Sequence, residues 1–99
     1  MQYDWIRMPM HIIESFEVQS LTDGSFRAWI EILLITNRCV PSGRLPPKEH
    51  LADLLEIELP DPEAAIDELI RAGLLVVDGV WLTPKDWHLY DPNIPYDEG

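Results

Sequence analysis

The stretch DPEAAIDELIRAGLLVVDGVWLT, residues 61–83, contains the signals for a helix, its end and a β-hairpin in direct succession. Asp61 is suited to cap the helix, and Pro62 fits the first turn because that amide has no intrahelical partner. Gly73 is typical of the residue that ends a helix in the left-handed conformation. The predicted buried stripe of this helix consists of Ile66, Leu69 and Ile70. Their i, i+3, i+4 spacing places them on one side of a helix.

Two apolar, β-prone runs follow this helix, at residues 74–77 and 80–83, and Asp78-Gly79 separates them. The dipeptide Asp-Gly accepts the positive φ angles of a type I′ turn. We therefore predict a β-hairpin whose turn is formed by Asp78 and Gly79.

Two further helices are predicted before this stretch. The first begins after Thr22, a suitable N-cap, and continues to about Cys39; it is apolar on most sides, as expected for a central helix. After a loop and a short extended piece at Arg44-Leu45, the second begins at Pro46-Pro47, and Glu56–Pro60 forms the turn that follows it. Its predicted buried face consists of Leu51, Leu54 and Leu55.

This order of elements predicts an α+β fold, a winged helix-turn-helix with three helices and a C-terminal β-hairpin wing. The alternative is a helical bundle with an incidental hairpin. The 99 residues suffice for one domain, which we place at residues 1–92. Upstream, residues 3–8 suggest an extended segment and 11–16 a weak helical turn. Residues 93–99 form an acidic, proline-containing tail that we expect to be poorly ordered, with order declining from Asp91.

Composition indicates a cytoplasmic protein. There is one cysteine, Cys39, so no disulfide framework is possible, and no apolar stretch approaches the ~20 residues of a membrane span. The histidines and Cys39 lack metal-ligand spacing, and the glycines are too isolated for a phosphate-binding loop. We expect no enzyme, no metal and no cofactor.

Five short motifs carry a family resemblance: YDWIR (3–7), VQSLTD (18–23), GRLP (43–46), AIDELIRAGLL (65–75) and DWHLYDP (86–92). In order and spacing they resemble the winged-helix N-terminal domain of replication-initiator, or replisome-organiser, proteins of phages and mobile elements. The resemblance implies a domain that binds origin DNA or self-associates, with a role in replication initiation or its regulation. The chain departs from that pattern in stopping soon after the hairpin and in the charge of its third helix.

The negative charge of the third helix disfavours DNA binding by that helix. The net charge is −11, and residues 47–73 contain two basic side chains against eight acidic ones, 2 − 8 = −6. A third helix in the major groove would bring carboxylates to the phosphates. The candidate nucleic-acid contacts are therefore the dispersed bases Arg27, Arg38, Arg44, Lys48 and Arg71. An i, i+4 ion pair between Arg27 and Glu31 is the alternative for the first of them.

The same charge count favours a second function, an acidic protein-interaction module that binds a basic protein partner, with DNA mimicry as one form of it. The candidate partner face consists of Glu56, Glu58, Glu63, Asp67 and Glu68. Trp5 and Trp87, near the two ends of the chain, are candidate interface aromatics, with capping of the core as the alternative. A homodimer is compatible with either function, although no heptad repeat points to one.

Overall fold

The computed structural model describes residues 4–95, which form an α+β fold in which helices precede an antiparallel hairpin. The elements are α1 (Met10–Ile13), α2 (Phe16–Gln19), α3 (Asp23–Arg38), α4 (Lys48–Leu54), α5 (Pro62–Arg71), β1 (Leu75–Asp78), β2 (Trp81–Pro84) and a 3₁₀ helix (Trp87–Leu89). The three predicted helices correspond to α3, α4 and α5, and the predicted helical turn corresponds to α1 and α2. Among residues 4–95 no helix has the length and apolar character needed to cross a membrane.

Helix α3 runs through the centre of the fold. Thr22 caps it by accepting a hydrogen bond from the Ser25 amide through its side chain, as predicted. Trp29, Ile32 and Leu33 are fully buried. The side of the helix that carries Ile30 and Leu34 is only half-buried, so α3 is covered less completely than its apolar sequence predicts.

Helix α5 packs against both α3 and α4. Asp61 caps α5 by accepting from the Ala64 amide at 3.1 Å, as predicted. The buried side chains that join the two helices to the core are Leu51, Ile66 and Leu69. The predicted buried face of α4 is wrong at Leu54, the last residue of the helix, which is 42% exposed. Leu51 is fully buried, and Leu55, where the backbone is already extended, packs against the core.

The hairpin turn lies one residue later than predicted. Asp78 pairs with Trp81, so Gly79 and Val80 occupy the turn. Gly79 has φ +64°, whereas Val80 is not among the residues with positive φ. A positive φ at the first central residue alone is the pattern of a type II′ turn, in which glycine takes that position. The predicted type I′ turn at Asp78-Gly79 is therefore wrong.

The hairpin is part of the core, which disfavours the alternative of a bundle with an incidental hairpin. Leu75 and Leu82 are buried, and Leu82 exchanges two backbone hydrogen bonds with Leu45, at 2.7 and 3.1 Å. The short extended piece predicted at Arg44-Leu45 therefore joins β2 as an isolated bridge. This arrangement is compatible with a winged helix-turn-helix.

The two ends of the described chain are bound to each other. The Arg7 amide donates to the Tyr90 carbonyl at 2.8 Å, and the Arg7 guanidinium donates to the carbonyls of Asp91 and Ile94. Asp91 is buried, and its carboxylate accepts from the Asn93 amide. Hydrogen bonds to the rest of the domain therefore reach Ile94; residues 1–3 and 96–99, which include part of the predicted tail, lie outside the described part.

Candidate functional site

Three of the predicted acidic residues form an exposed surface at the turn between α4 and α5, which we call the acidic face: Glu56, Glu58 and Glu63. Glu56 and Glu58 lie in the turn, and Glu63 lies in the first turn of α5. Within residues 4–95 these carboxylates have no ion pair or hydrogen bond to another side chain. They are therefore available to a ligand outside the domain.

Glu68 was also predicted for the partner face, but its carboxylate is used inside the domain. It accepts from the Thr22 amide at 2.9 Å, from the Thr22 hydroxyl at 3.0 Å and from the Ser25 hydroxyl at 2.8 Å. The hydrogen bond from the Thr22 amide lowers the pKa of Glu68 most, and the bond from Ser25 lowers it further. The carboxylate also lies at the positive end of the α3 dipole. Glu68 thus anchors α5 to the start of α3.

Asp67 and Lys48 neutralise each other. The Lys48 ammonium lies 3.1 Å from the Asp67 carboxylate, and the hydrogen bond to Asp67 raises the pKa of Lys48. Asp67, a residue of the predicted partner face, is therefore paired with Lys48, a candidate nucleic-acid contact. Such exposed pairs contribute little to stability, because water screens the two charges.

The remaining basic candidates are exposed but dispersed. Arg27 and Arg38 lie on α3, eleven residues and therefore about 16 Å apart, and Arg71 ends α5. The alternative ion pair of Arg27 with Glu31 is not formed. Glu31 instead accepts from the backbone amides of residues 56 and 57, at 2.8 and 3.2 Å, and so holds the turn that carries the acidic face.

Arg44 lies against the hairpin. Its guanidinium carbon is 5.6 Å from the centre of the exposed Trp81 ring, within the range of a cation–π contact. The pair borders a cavity of about 410 Å³ between the hairpin and residues 41–44. Sequence reasoning selected Arg44 but missed Trp81, because only the hairpin register places that ring beside the arginine.

The two candidate interface tryptophans have different environments. Trp87 is only 8% exposed, and its indole N–H donates to the Ser42 hydroxyl at 2.9 Å and to the Asp91 carboxylate at 3.1 Å. Its ring stacks on Tyr90, with centroids 6.0 Å apart. Trp87 is thus a core residue and not an interface residue, as the alternative predicted. Trp5 is 49% exposed, and its interface role stays a prediction.

Burial affects two further titratable side chains, Cys39 and Tyr90. Burial raises the pKa of the Cys39 thiol, which donates to the Ile35 carbonyl. Burial also raises the pKa of Tyr90 to about 12. Within residues 4–95 no three histidine, cysteine or carboxylate side chains are gathered to hold a metal.

Replacing Glu68 by glutamine is expected to destabilise the fold in a pH-dependent way. The folded-state pKa of Glu68 lies below the ordinary value of 4.5. Its contribution is therefore fully present above pH 4.5 and is lost as the pH falls through the lower, folded-state pKa. We expect Glu68→Gln to cost about 1 kcal/mol at pH 7 and less at pH 3, measured by urea unfolding at both pH values. An equal cost at both pH values would contradict this assignment.

No protein-family model, curated protein or solved structure matches this chain. The resemblance to phage and mobile-element replication initiators therefore stays a prediction from the five short motifs.

Proposed function

We propose that this chain is a non-enzymatic winged-helix module that binds a basic protein partner through its acidic face. The observation that supports this best is the exposure of Glu56, Glu58 and Glu63 at one turn, with no basic side chain paired to them among the described residues. The backbone of that turn is held by Glu31, so the carboxylates are displayed on a fixed scaffold. A preorganised charged surface loses little entropy when it binds.

Electrostatics favours a cationic ligand here. Residues 47–73 have a charge of −6, and Lys48, one of the two basic side chains in that range, is already paired with Asp67. Complementary charge raises association rates and excludes ligands of like charge. A basic protein segment meets both conditions, whereas a phosphate backbone meets neither.

A second candidate function is direct contact with DNA in replication initiation or its regulation, as the resemblance implies. The observation that favours it is Arg44 over Trp81, an exposed cation beside an exposed aromatic ring on the hairpin. Arginine can bind a phosphate while the ring offers a stacking surface to a base. In this function the hairpin, and not α5, contacts the nucleic acid.

One binding experiment tests both functions. The chain is titrated at low and moderate salt with a lysine-rich peptide and, separately, with mixed-sequence duplex and single-stranded DNA. The triple variant Glu56→Lys, Glu58→Lys and Glu63→Lys is expected to bind the peptide about tenfold or more weakly, because three attractive contacts become repulsive. Asp67 and Glu68 are left unchanged because the fold uses them.

The matched control reverses three exposed carboxylates elsewhere, Asp4→Lys, Glu14→Lys and Glu17→Lys, for the same change in net charge. If both triple variants weaken peptide binding equally, only net charge matters and the acidic face is not a binding site. Salt-sensitive DNA binding that Arg44→Ala abolishes would favour the second function. The absence of DNA binding at low salt would eliminate direct DNA contact.

A further inference from the structure

An apolar groove lies along the less covered side of α3, between that helix and the turn that follows α4. Its volume is about 300 Å³, and its accessible lining is almost wholly apolar. The residues that line it are Phe26, Arg27, Ile30, Glu31, Leu34 and Ile57. The four apolar members of this set are only half-buried. Pockets that bind ligands have volumes of roughly 300–1,000 Å³ and mainly apolar linings, so the groove has the size and lining of a small binding site.

One wall of the groove is a stripe of apolar side chains on α3. Phe26, Ile30 and Leu34 are spaced four residues apart, so they lie one above the other on the same side of the helix. Eight residues separate Phe26 from Leu34, which is about 12 Å along the helix axis. The apolar contacts of a helix bound in a groove recur at i, i+4 and i+7, over about 11 Å. The stripe therefore matches the apolar face of a helix in length.

The other wall is the turn that carries the acidic face. Glu31 accepts from the amides of residues 56 and 57, and a Cβ atom added at Gly24 would lie 3.2 Å from Cδ2 of Leu59. The turn therefore runs antiparallel to α3 and touches it at two places. Ile57 lines the groove, whereas the glutamates on either side of it are exposed and have no ion pair with another described side chain. Two free carboxylates thus flank the apolar residue of this wall.

We propose that this groove binds an amphipathic helix of a basic protein. The apolar side chains of the helix lie on the α3 stripe, and its lysine or arginine side chains contact Glu56 and Glu58. This inference rests on the proposed function, since the acidic face supplies part of the contact. It adds the form of the partner, which a count of charges does not define.

Charge selects this occupant of the groove. Arg27 and Glu31 contribute one charge of each sign, and the alkyl parts of their side chains cover apolar surface. The net charge beside the groove is therefore set by Glu56 and Glu58. A basic helix is attracted to these carboxylates, whereas an acidic helix would bring like charges together.

Fluorescence anisotropy with three labelled peptides of about 15 residues, or about four helical turns, tests the proposal. The leucine–lysine peptide has leucine at i, i+4, i+7 and i+11 and lysine on both flanks. The serine–lysine peptide has serine in place of each leucine, and the leucine–glutamate peptide has glutamate in place of each lysine. We expect the leucine–lysine peptide to bind about tenfold or more tightly than the other two, because it alone fills the groove and complements the acidic face.

A double variant, Leu34→Gln with Ile57→Gln, makes the groove polar without changing the net charge. It should bind the leucine–lysine peptide about tenfold or more weakly and the serine–lysine peptide as before. The matched control, Val77→Gln with Val80→Gln, alters two exposed valines of the hairpin and should bind both peptides as the unchanged chain does. Circular dichroism reports whether each variant is folded, and the comparison of the three peptides on the unchanged chain requires no variant.

The outcomes separate this inference from the proposed function. Equal binding of the two lysine peptides would overturn the groove as a site and leave the acidic face in place. Equal binding of the two leucine peptides would overturn the basic partner, and binding of neither lysine peptide would overturn both proposals. Sedimentation velocity of the chain alone tests a second copy as the occupant: a dimer that the Leu34→Gln, Ile57→Gln variant dissociates would overturn the inference.

Discussion

Replacing Trp87 by alanine is expected to lower the free energy of unfolding by about 3–5 kcal/mol, the usual cost of removing a buried aromatic side chain. The ring is buried against Tyr90, so its loss leaves a cavity. The substitution also removes the indole N–H that binds Ser42 and Asp91 and so joins the end of the chain to the 41–44 loop. Urea unfolding followed by circular dichroism measures the change.

Trp5→Ala is the matched control, because Trp5 is the other candidate interface tryptophan and is half-exposed. Its carbonyl accepts from Asn37, and that backbone contact survives the substitution. We expect a cost of about 1 kcal/mol or less. Trp87→Phe, which retains most of the ring but loses the donor, should lie between the two, at about 1–2 kcal/mol. Equal costs for the two alanine variants would contradict the assignment of Trp87 to the core.

Gly43→Ala is expected to cost about 2–5 kcal/mol, from backbone strain and overpacking together. Gly43 has φ +95°, where L side chains are strained. A Cβ atom there would lie 2.9 Å from Cδ1 of the Trp87 ring, closer than van der Waals contact allows. The ring cannot move aside without losing its hydrogen bonds to Ser42 and Asp91.

Gly79→Ala separates these two effects. Gly79 also has positive φ, at +64°, but a Cβ atom there would contact nothing within 4 Å. Backbone strain alone should therefore cost about 1–3 kcal/mol. The gain from restricting the unfolded chain is the same for both substitutions and cancels in the comparison. Our account of the contact with Trp87 requires Gly43→Ala to be the more destabilising of the two in urea unfolding.

The elements of the fold could be predicted from sequence because their signals are local. Thr22 and Asp61 cap their helices by accepting hydrogen bonds from amides three residues away. Gly79 permits the hairpin turn because glycine itself adopts the positive φ that the turn requires. Helix α5 and the hairpin therefore lie where the sequence predicts them. The error at the hairpin turn is a shift of one residue, since the register of a hairpin depends on what packs beneath it. The error at Leu54 lies in the last turn of a short helix, where burial depends on the neighbouring segments of the fold.

The candidate site was only partly predictable. The acidic residues were found by counting charges, which requires no structure. Counting could not tell exposed carboxylates from those that the fold uses, because Glu68 meets its partner Thr22 across 46 residues of sequence and Asp67 meets Lys48 across 19. The charge count therefore assigned Asp67 and Glu68 to the candidate partner face. The carboxylates of that set that remain exposed and unpaired lie at the turn between α4 and α5.

Local signals and composition were sufficient to predict the order of the helices and hairpin, the central position of α3 and the negative charge of the α4–α5 region. These follow from capping, apolar periodicity and composition, which act over a few residues or over the whole chain. The burial of Trp87 and the contact of Arg44 with Trp81 could be seen only once the chain was folded. Each of these depends on which distant segments meet, and that is set by packing the whole core at once, not by any local preference.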